Sequence, residues 1–262
     1  MTRTYKSIFL SDIHLGTKDA QASRLLEFLR THESENLYLV GDIIDGWALR
    51  RRWSWKQSHS DVIQKILRKA RKGTKVTYVL GNHDEFVNGF LPLSLGENLT
   101  IVRETSYTDL KQRRYHVIHG DIYDPITMNQ KWLALLGDKA YMFLLRMNRP
   151  INALRHMVGI HQYWSLSKYA KESVKKSIMF ISNYEQVLSA EARQKGYDGV
   201  ICGHIHKAEI TEIGGIHYLN SGDWVESCTA LMETLSGEWQ ILDFSGQQYA
   251  QESSLPAAQK SA

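Results

Sequence analysis

Five times in this chain a short apolar run ends in a tight turn whose polar residues are of the kinds that bind metal ions. Ser7–Ser11 runs into Asp12-Ile13-His14, and Leu37–Val40 into Gly41-Asp42. Lys75–Leu80 meets Gly81-Asn82-His83-Asp84, Tyr115–His119 meets Gly120-Asp121, and Gly199–Cys202 meets Gly203-His204-Ile205-His206. Residues two apart at a strand end fall on one side, so Asp12 with His14, and His204 with His206, can each face one point. Taken singly these clusters are ordinary, since Gly-Asp after a strand is a common turn. Together, on five strand ends, they argue for one shared site, because open α/β sheets place their sites at the carboxyl ends of strands. His32, His59, His116, His156, His161 and His217 fall outside the pattern and read as non-ligands.

Between these strands the spacing predicts helices. Asp19–Arg30 sets Leu25, Leu26 and Leu29 on one face, and Val62–Lys72 repeats the period through Val62, Ile63, Ile66 and Leu67. Gly73 is placed to cap the second, with basic residues in its last turn. Strand–helix alternation implies an α/β fold that starts with parallel pairing. Later strand-like runs cover Leu99–Val102, Ala208–Ile213, Ile216–Leu219, Thr229–Glu233 and Glu238–Phe244, and Gly214-Gly215 marks a hairpin with a primed turn. The sheets are therefore mixed. From 127 to 195 there is no strand signal, only helical periods broken at Gly137, Pro150 and Gly159. One domain over 1–244 carrying a helical cap insertion at 127–195, then a flexible tail at 245–262, is the expected organisation.

At 43% hydrophobic and 23% charged residues, the chain has the composition of a folded soluble protein. Its two cysteines, Cys202 and Cys228, exclude a disulfide framework and suit a reducing compartment. No apolar run approaches the roughly 18 residues of a spanning helix, and the N-terminus leads into a strand rather than a signal core. The expected address is the cytoplasm, with peripheral contact at the inner membrane compatible. A net charge of +4 is too mild to argue for nucleic acid, and none is expected as a partner. Residues 125–195 nonetheless hold 11 Lys or Arg against 4 Asp or Glu. That basic segment also carries the apolar clusters Trp132–Leu136 and Tyr141–Leu145, a mixture suited to an anionic head with acyl chains.

The ligand candidates are carboxylates, imidazoles and one amide, without thiolate. Such a set suits Mn first, with Fe or Zn as alternatives, rather than a structural zinc. Seven candidates are too many for one ion. Two divalent metal ions about 3.5–4 Å apart, sharing a carboxylate, would use them all, and such pairs serve displacement at phosphorus. Asp42, a single carboxylate at the centre of the chain order, is the natural bridge.

In order, D-x-H, G-D, G-N-H-D, H and G-H-x-H over Ser11 to His206 resemble the calcineurin-like metallophosphoesterase superfamily. The resemblance implies a four-layer sandwich of two mixed β-sheets flanked by helices, around a dinuclear centre. It implies one metal on Asp12, His14, Asp42 and His206, and the other on Asp42, Asn82, His119 and His204. It further implies that His83 is catalytic and not a ligand, and that Asp84 orients His83.

Within the superfamily, Gly41-Asp42-Ile43-Ile44-Asp45-Gly46-Trp47, the position of the insertion, and Lys175-Lys176-Ser177 resemble the UDP-2,3-diacylglucosamine pyrophosphatase branch of lipid A biosynthesis. His83 stands where well-known members of that branch carry Arg. Arg50, Arg51, Lys175 and Lys176 are the candidate substrate contacts. The expected function is hydrolysis of a phosphoanhydride or phosphodiester in a small-molecule or lipid-linked phosphate substrate. The alternatives are the same chemistry on a soluble nucleotide or phosphodiester, and a binding scaffold without catalysis.

Overall fold

The computed structural model describes residues 3–123, 181, 183–246 and 250–251. The chain divides into two compact units, Met1–Asp121 with Leu188–Ala262, and Ile122–Val187. The first unit begins β1 (Arg3–Leu10), α1 (Ala22–Thr31), β2 (His32–Val40), α2 (Gly46–Arg51), α3 (Gln57–Arg71) and β3 (Lys75–Val79). A 3₁₀ turn (Glu85–Phe90), β4 (Leu93–Ser94), β5 (Leu99–Val102), β6 (Glu104–Thr108) and β7 (Arg114–Ile118) follow. Its second stretch holds β8 (Gly199–Cys202), β9 (Glu209–Ile213), β10 (Ile216–Asn220), β11 (Thr229–Glu233), β12 (Trp239–Asp243) and β13 (Ala250–Gln251).

These strands form two mixed sheets, ordered β13-β12-β11-β1-β2-β3-β5-β4 and β6-β7-β8-β10-β9. β1, β2, β3 and β5 run parallel, as do β7, β8 and β10. Register aligns Ile8 with Leu37, Leu37 with Val76, and Val76 with Leu99. That row joins Leu25, Leu29, Val62 and Ile66 of α1 and α3 in one core. One residue on, the side chains point the other way. Phe9, Val40, Val79, Leu231 and Trp239 meet Tyr107, Tyr115, Val117, Ile201 and Leu219 of the second sheet in a separate core. Strands buried on both faces explain why the sequence shows them as continuous apolar runs. The chain is thus a mixed α/β protein, as expected.

Differences from the sequence reading are local. α2 spans six residues, too few to show a period, and Asp45 caps it by accepting from Ala48 N at 2.7 Å. β6 alternates exposed polar residues with a buried Tyr107 and forms the edge of its sheet. In the segment read as tail, Ala250–Gln251 pairs with β12. At the hairpin, Ile213 faces Ile216, and Gly214 and Gly215 have φ of 57° and 80°, the primed turn expected. Most of the expected cap at 127–195, including Lys175 and Lys176, lies outside the described residues; of it, 183–194 is helical. Among the described residues, no helix is long and apolar enough to cross a membrane.

Candidate metal centre

All seven candidate ligands lie just past the carboxyl ends of β1, β2, β3, β7 and β8. The turns bearing them are laced together by backbone. Asp12 N donates to Gly41 O at 3.0 Å, and Ile13 N and His14 N both donate to Asp42 O at 3.0 and 2.9 Å. Gly203 N donates to His119 O at 3.2 Å, which ties the β8 turn to the β7 turn.

The two central carboxylates each split their oxygens between two tasks. Asp12 Oδ2 accepts from His204 N at 2.8 Å, and Asp42 Oδ1 accepts from His83 N at 2.9 Å. Each thereby fixes the next ligand turn. Asp12 Oδ1 and Asp42 Oδ2 are left facing the cluster, fully buried and without a hydrogen-bond partner, as are His14 Nε2 and Asn82 Oδ1. His206 Nε2 lies 3.1 Å and His14 Nε2 3.9 Å from Asp12 Oδ1. His119 Nε2 lies 3.3 Å, and His14 Nε2 and His83 Nε2 3.8 Å, from Asp42 Oδ2. Ligand atoms of Asp12, His14 and His206 lie within 4.8 Å of one another, and so do those of Asp42, His119 and His204. Buried donor atoms without hydrogen bonds, of mixed N and O type, fit divalent cations.

Glycines make the approach possible. A Cβ on Gly81 would stand 2.3 Å from Asp42 Oδ1, and one on Gly41, whose φ is +79°, 2.2 Å from His119 Nδ1. The candidate ligands themselves are strained. Asp12, His14, Asp42, His204 and His206 have φ of 50°, 51°, 55°, 71° and 55°, and only Gln112 and Cys228 share that region among the described non-glycine residues. Strain of this kind gathers at functional sites.

Electrostatics favour cations. Burial alone would raise the Asp12 carboxyl, but the neighbouring His206, His119 and His14 outweigh it and hold Asp12 well below the usual carboxylate range. Asp42 is lowered in the same way, with burial opposed chiefly by His119. The rings are steered from behind. His119 Nδ1 donates to Val40 O at 3.0 Å, which turns Nε2 toward Asp42.

Asp84 does not orient His83. Its buried carboxylate accepts from Ile43 N, Ile44 N, Gly81 N and the Tyr78 hydroxyl, so it fastens the β2 turn to the β3 turn. Burial, then the charge of Asp42, push it up to about 6. The carboxylate beside His83 is Asp45. Its Oδ1 lies 3.0 Å from His83 Nδ1, and its Oδ2 lies 3.2 Å from His14 Nδ1. The indole of Trp47 covers the His83 ring at 4.2 Å between centroids. Arg103 was also missed: it donates to Leu80 O and Gly81 O at 3.5 and 3.4 Å and lies 3.6 Å from Asp121, linking two ligand turns. In the sequence Asp45 stands out only as part of the Gly41–Trp47 segment, which says nothing of the imidazoles it meets. Arg50 and Arg51 are exposed on the last turn of α2.

Comparison with known proteins adds relatives. A UDP-2,3-diacylglucosamine hydrolase of Neisseria gonorrhoeae is 24% identical over 231 residues, covering 83% of this chain and 89% of that one. One from Pseudomonas aeruginosa PAO1 is 26% identical over 210 residues, covering 76% and 81%. The solved structure of Yfce, a phosphoesterase from E. coli, aligns with a TM-score of 0.48 at 17% identity, over 93% of this chain and 95% of that one. The model of the calcineurin-like phosphoesterase family matches residues 5–208, a span that holds every ligand turn, and the chain belongs to that family.

Proposed function

We propose that this phosphoester-hydrolysing enzyme uses two divalent ions to cleave a phosphoanhydride or phosphodiester, with a UDP-linked diacyl sugar as its substrate class. The observation that carries the reading is the pair of carboxylate oxygens, Asp12 Oδ1 and Asp42 Oδ2, buried among imidazoles and without hydrogen bonds. Asp12, His14, Asp42 and His206 would hold one ion, and Asp42, Asn82, His119 and His204 the other, with Mn the expected metal. When bound, such ions supply Lewis-acid polarisation of the phosphoryl group and acidify water. His83 stands at the edge of the cluster, where its imidazole can give a proton to the leaving oxygen or stabilise charge there. Asp45 and Trp47 fix its ring. The relatives' names support the lipid-linked substrate.

His83 itself favours a second reading, a soluble phosphodiester, because it is the residue of general phosphoesterases at that position. Turnover of UDP-2,3-diacylglucosamine and of bis(p-nitrophenyl) phosphate by the purified protein, after chelation and after Mn addition, separates the readings. Metal-dependent release of UMP with a strong preference for the diacylated sugar is expected. Equal kcat/KM on acylated and deacylated sugar supports the soluble reading, and no turnover of either substrate overturns both.

A further inference from the structure

Arg50 and Arg51 close α2, and Arg52-Trp53-Ser54-Trp55-Lys56 lead to α3. Residues 46–60 hold four Lys or Arg and no Asp or Glu. All four basic residues are exposed, and so is Trp53, at 74%. This indole is held out on a fixed platform. It stacks on Trp55 at 6.4 Å and 28° between planes; Trp55 donates to Ser60 Oγ at 2.9 Å and meets the edge of buried His59. The metal centre uses none of these residues. Phe86, 41% exposed, lies against Gly46 at the start of α2. α2 rises roughly 9 Å over its six residues, so the basic loop and Asp45 sit at the two ends of one short helix.

We infer that loop 50–56 docks the protein on an anionic lipid surface. A braced, exposed indole among cations matches the headgroup layer, where Trp is favoured and basic side chains meet anionic phosphates. Arg and Trp also serve protein interfaces, but the cores of those are depleted in charge, whereas this loop carries four exposed cations within three residues of its indole in the sequence, without an acid. The inference is independent of the proposed substrate. It gives the loop a purpose that the ligand cluster does not supply.

The test is co-sedimentation of the full chain with phosphatidylcholine vesicles, with and without phosphatidylglycerol, at low and raised salt. Wild type should bind only the anionic vesicles and be released by salt. Each basic side chain contributes about fivefold to such binding, so the triple variant Arg50→Ser, Arg51→Ser, Arg52→Ser should bind roughly a hundredfold more weakly. Trp53→Ser should also bind more weakly, with charge unchanged. Wild-type melting temperatures in both variants establish that they fold. The inference is overturned if wild type ignores anionic vesicles, binds neutral ones as well, or binds no better than the two variants. It is also overturned if Trp53→Ser converts a dimer to a monomer, which would make the loop an interface between copies.

Discussion

Gly81→Ala adds one methyl group at the most crowded point of the ligand cluster. The backbone of Gly81 lies outside the left-handed region, so the perturbation is steric. The new Cβ would stand 2.3 Å from Asp42 Oδ1, 2.6 Å from Asp42 N and 2.8 Å from His119 Cδ2. Relaxed contacts between such atoms need about 3.5 Å, so the shortest overlap is roughly 1 Å. Neither neighbour can swing away: Asp42 and His119 are fully buried, and Asp42 Oδ1 is tied to His83 N at 2.9 Å. Overpacking of this kind costs about 1–3 kcal/mol, or roughly 2–12 °C in melting temperature at this chain length. A misplacement of about 1 Å at a catalytic centre costs on the order of a hundredfold in rate. Gly89 is the matched control, because a Cβ there meets nothing within 4 Å. The assay is turnover of a soluble phosphodiester in Mn, with metal titration and thermal melts on Gly81→Ala and Gly89→Ala. Wild-type turnover and melting in Gly81→Ala would refute the claim that this carboxylate and imidazole must stay where they are.

His83→Ala should keep its metals and lose kcat by about 10²–10⁴; elemental analysis showing metal loss would make His83 structural instead. Asp45→Asn should still cap α2, since Asn caps as well as Asp. It should weaken metal binding by about 10–100-fold through His14, and calorimetric affinities equal to wild type would sink that link. Burial, then the charge of Arg113, push His217 down to about 4, and its ring lies 2.7 Å from the Tyr115 hydroxyl. An unfolded histidine titrates near about 6.5, so between these values only the unfolded chain takes up the proton. Stability should fall as pH drops through that window, by at most about 3 kcal/mol and less for a partly exposed ring. His217→Gln should flatten that limb in urea titrations, and an unchanged slope would refute the assignment.

The parallel half of the fold was legible because its cause is local. Ile8, Leu37 and Val76 lie on strands buried on both faces, which leave continuous apolar runs, and Leu25 with Leu29 sets an amphipathic face, which leaves a helical period. The convergence of the five candidate turns was legible as a set, since a shared site explains all five at once, while their division between two ions is what the family resemblance implies. What stayed hidden depends on the third dimension. Asp84 follows His83 in the chain, yet its carboxylate turns to Tyr78 and the β2 turn, while Asp45, distant in sequence, reaches His83. α2 leaves no period in six residues, and β6 shows one buried side chain, Tyr107, among polar neighbours.

Left-handed backbone at the ligands has a thermodynamic consequence. Outside glycine, such a conformation costs roughly 1–2 kcal/mol per residue, and Asp12, His14, Asp42, His204 and His206 all adopt it. The same small volume buries Asp12, Asp42 and Asp84, and the mutual repulsion of Asp42 and Asp84 contributes to raising Asp84 to about 6. These terms oppose folding of the centre, whose imidazoles offset them only in part. Divalent ions that bind the folded chain and not the unfolded one would stabilise it by about 4 kcal/mol at a thousandfold excess over Kd. For a chain of this size that corresponds to roughly 8–16 °C in melting temperature. Chelation should therefore lower the melting temperature by an amount of that order, and Mn should restore it. Asp42→Asn, which lacks the charge, should melt at nearly the same temperature with and without Mn. A chelated protein, verified metal-free by elemental analysis, that melts where the Mn-loaded protein does would show that the strain is balanced within the fold and that the ions contribute nothing to holding it.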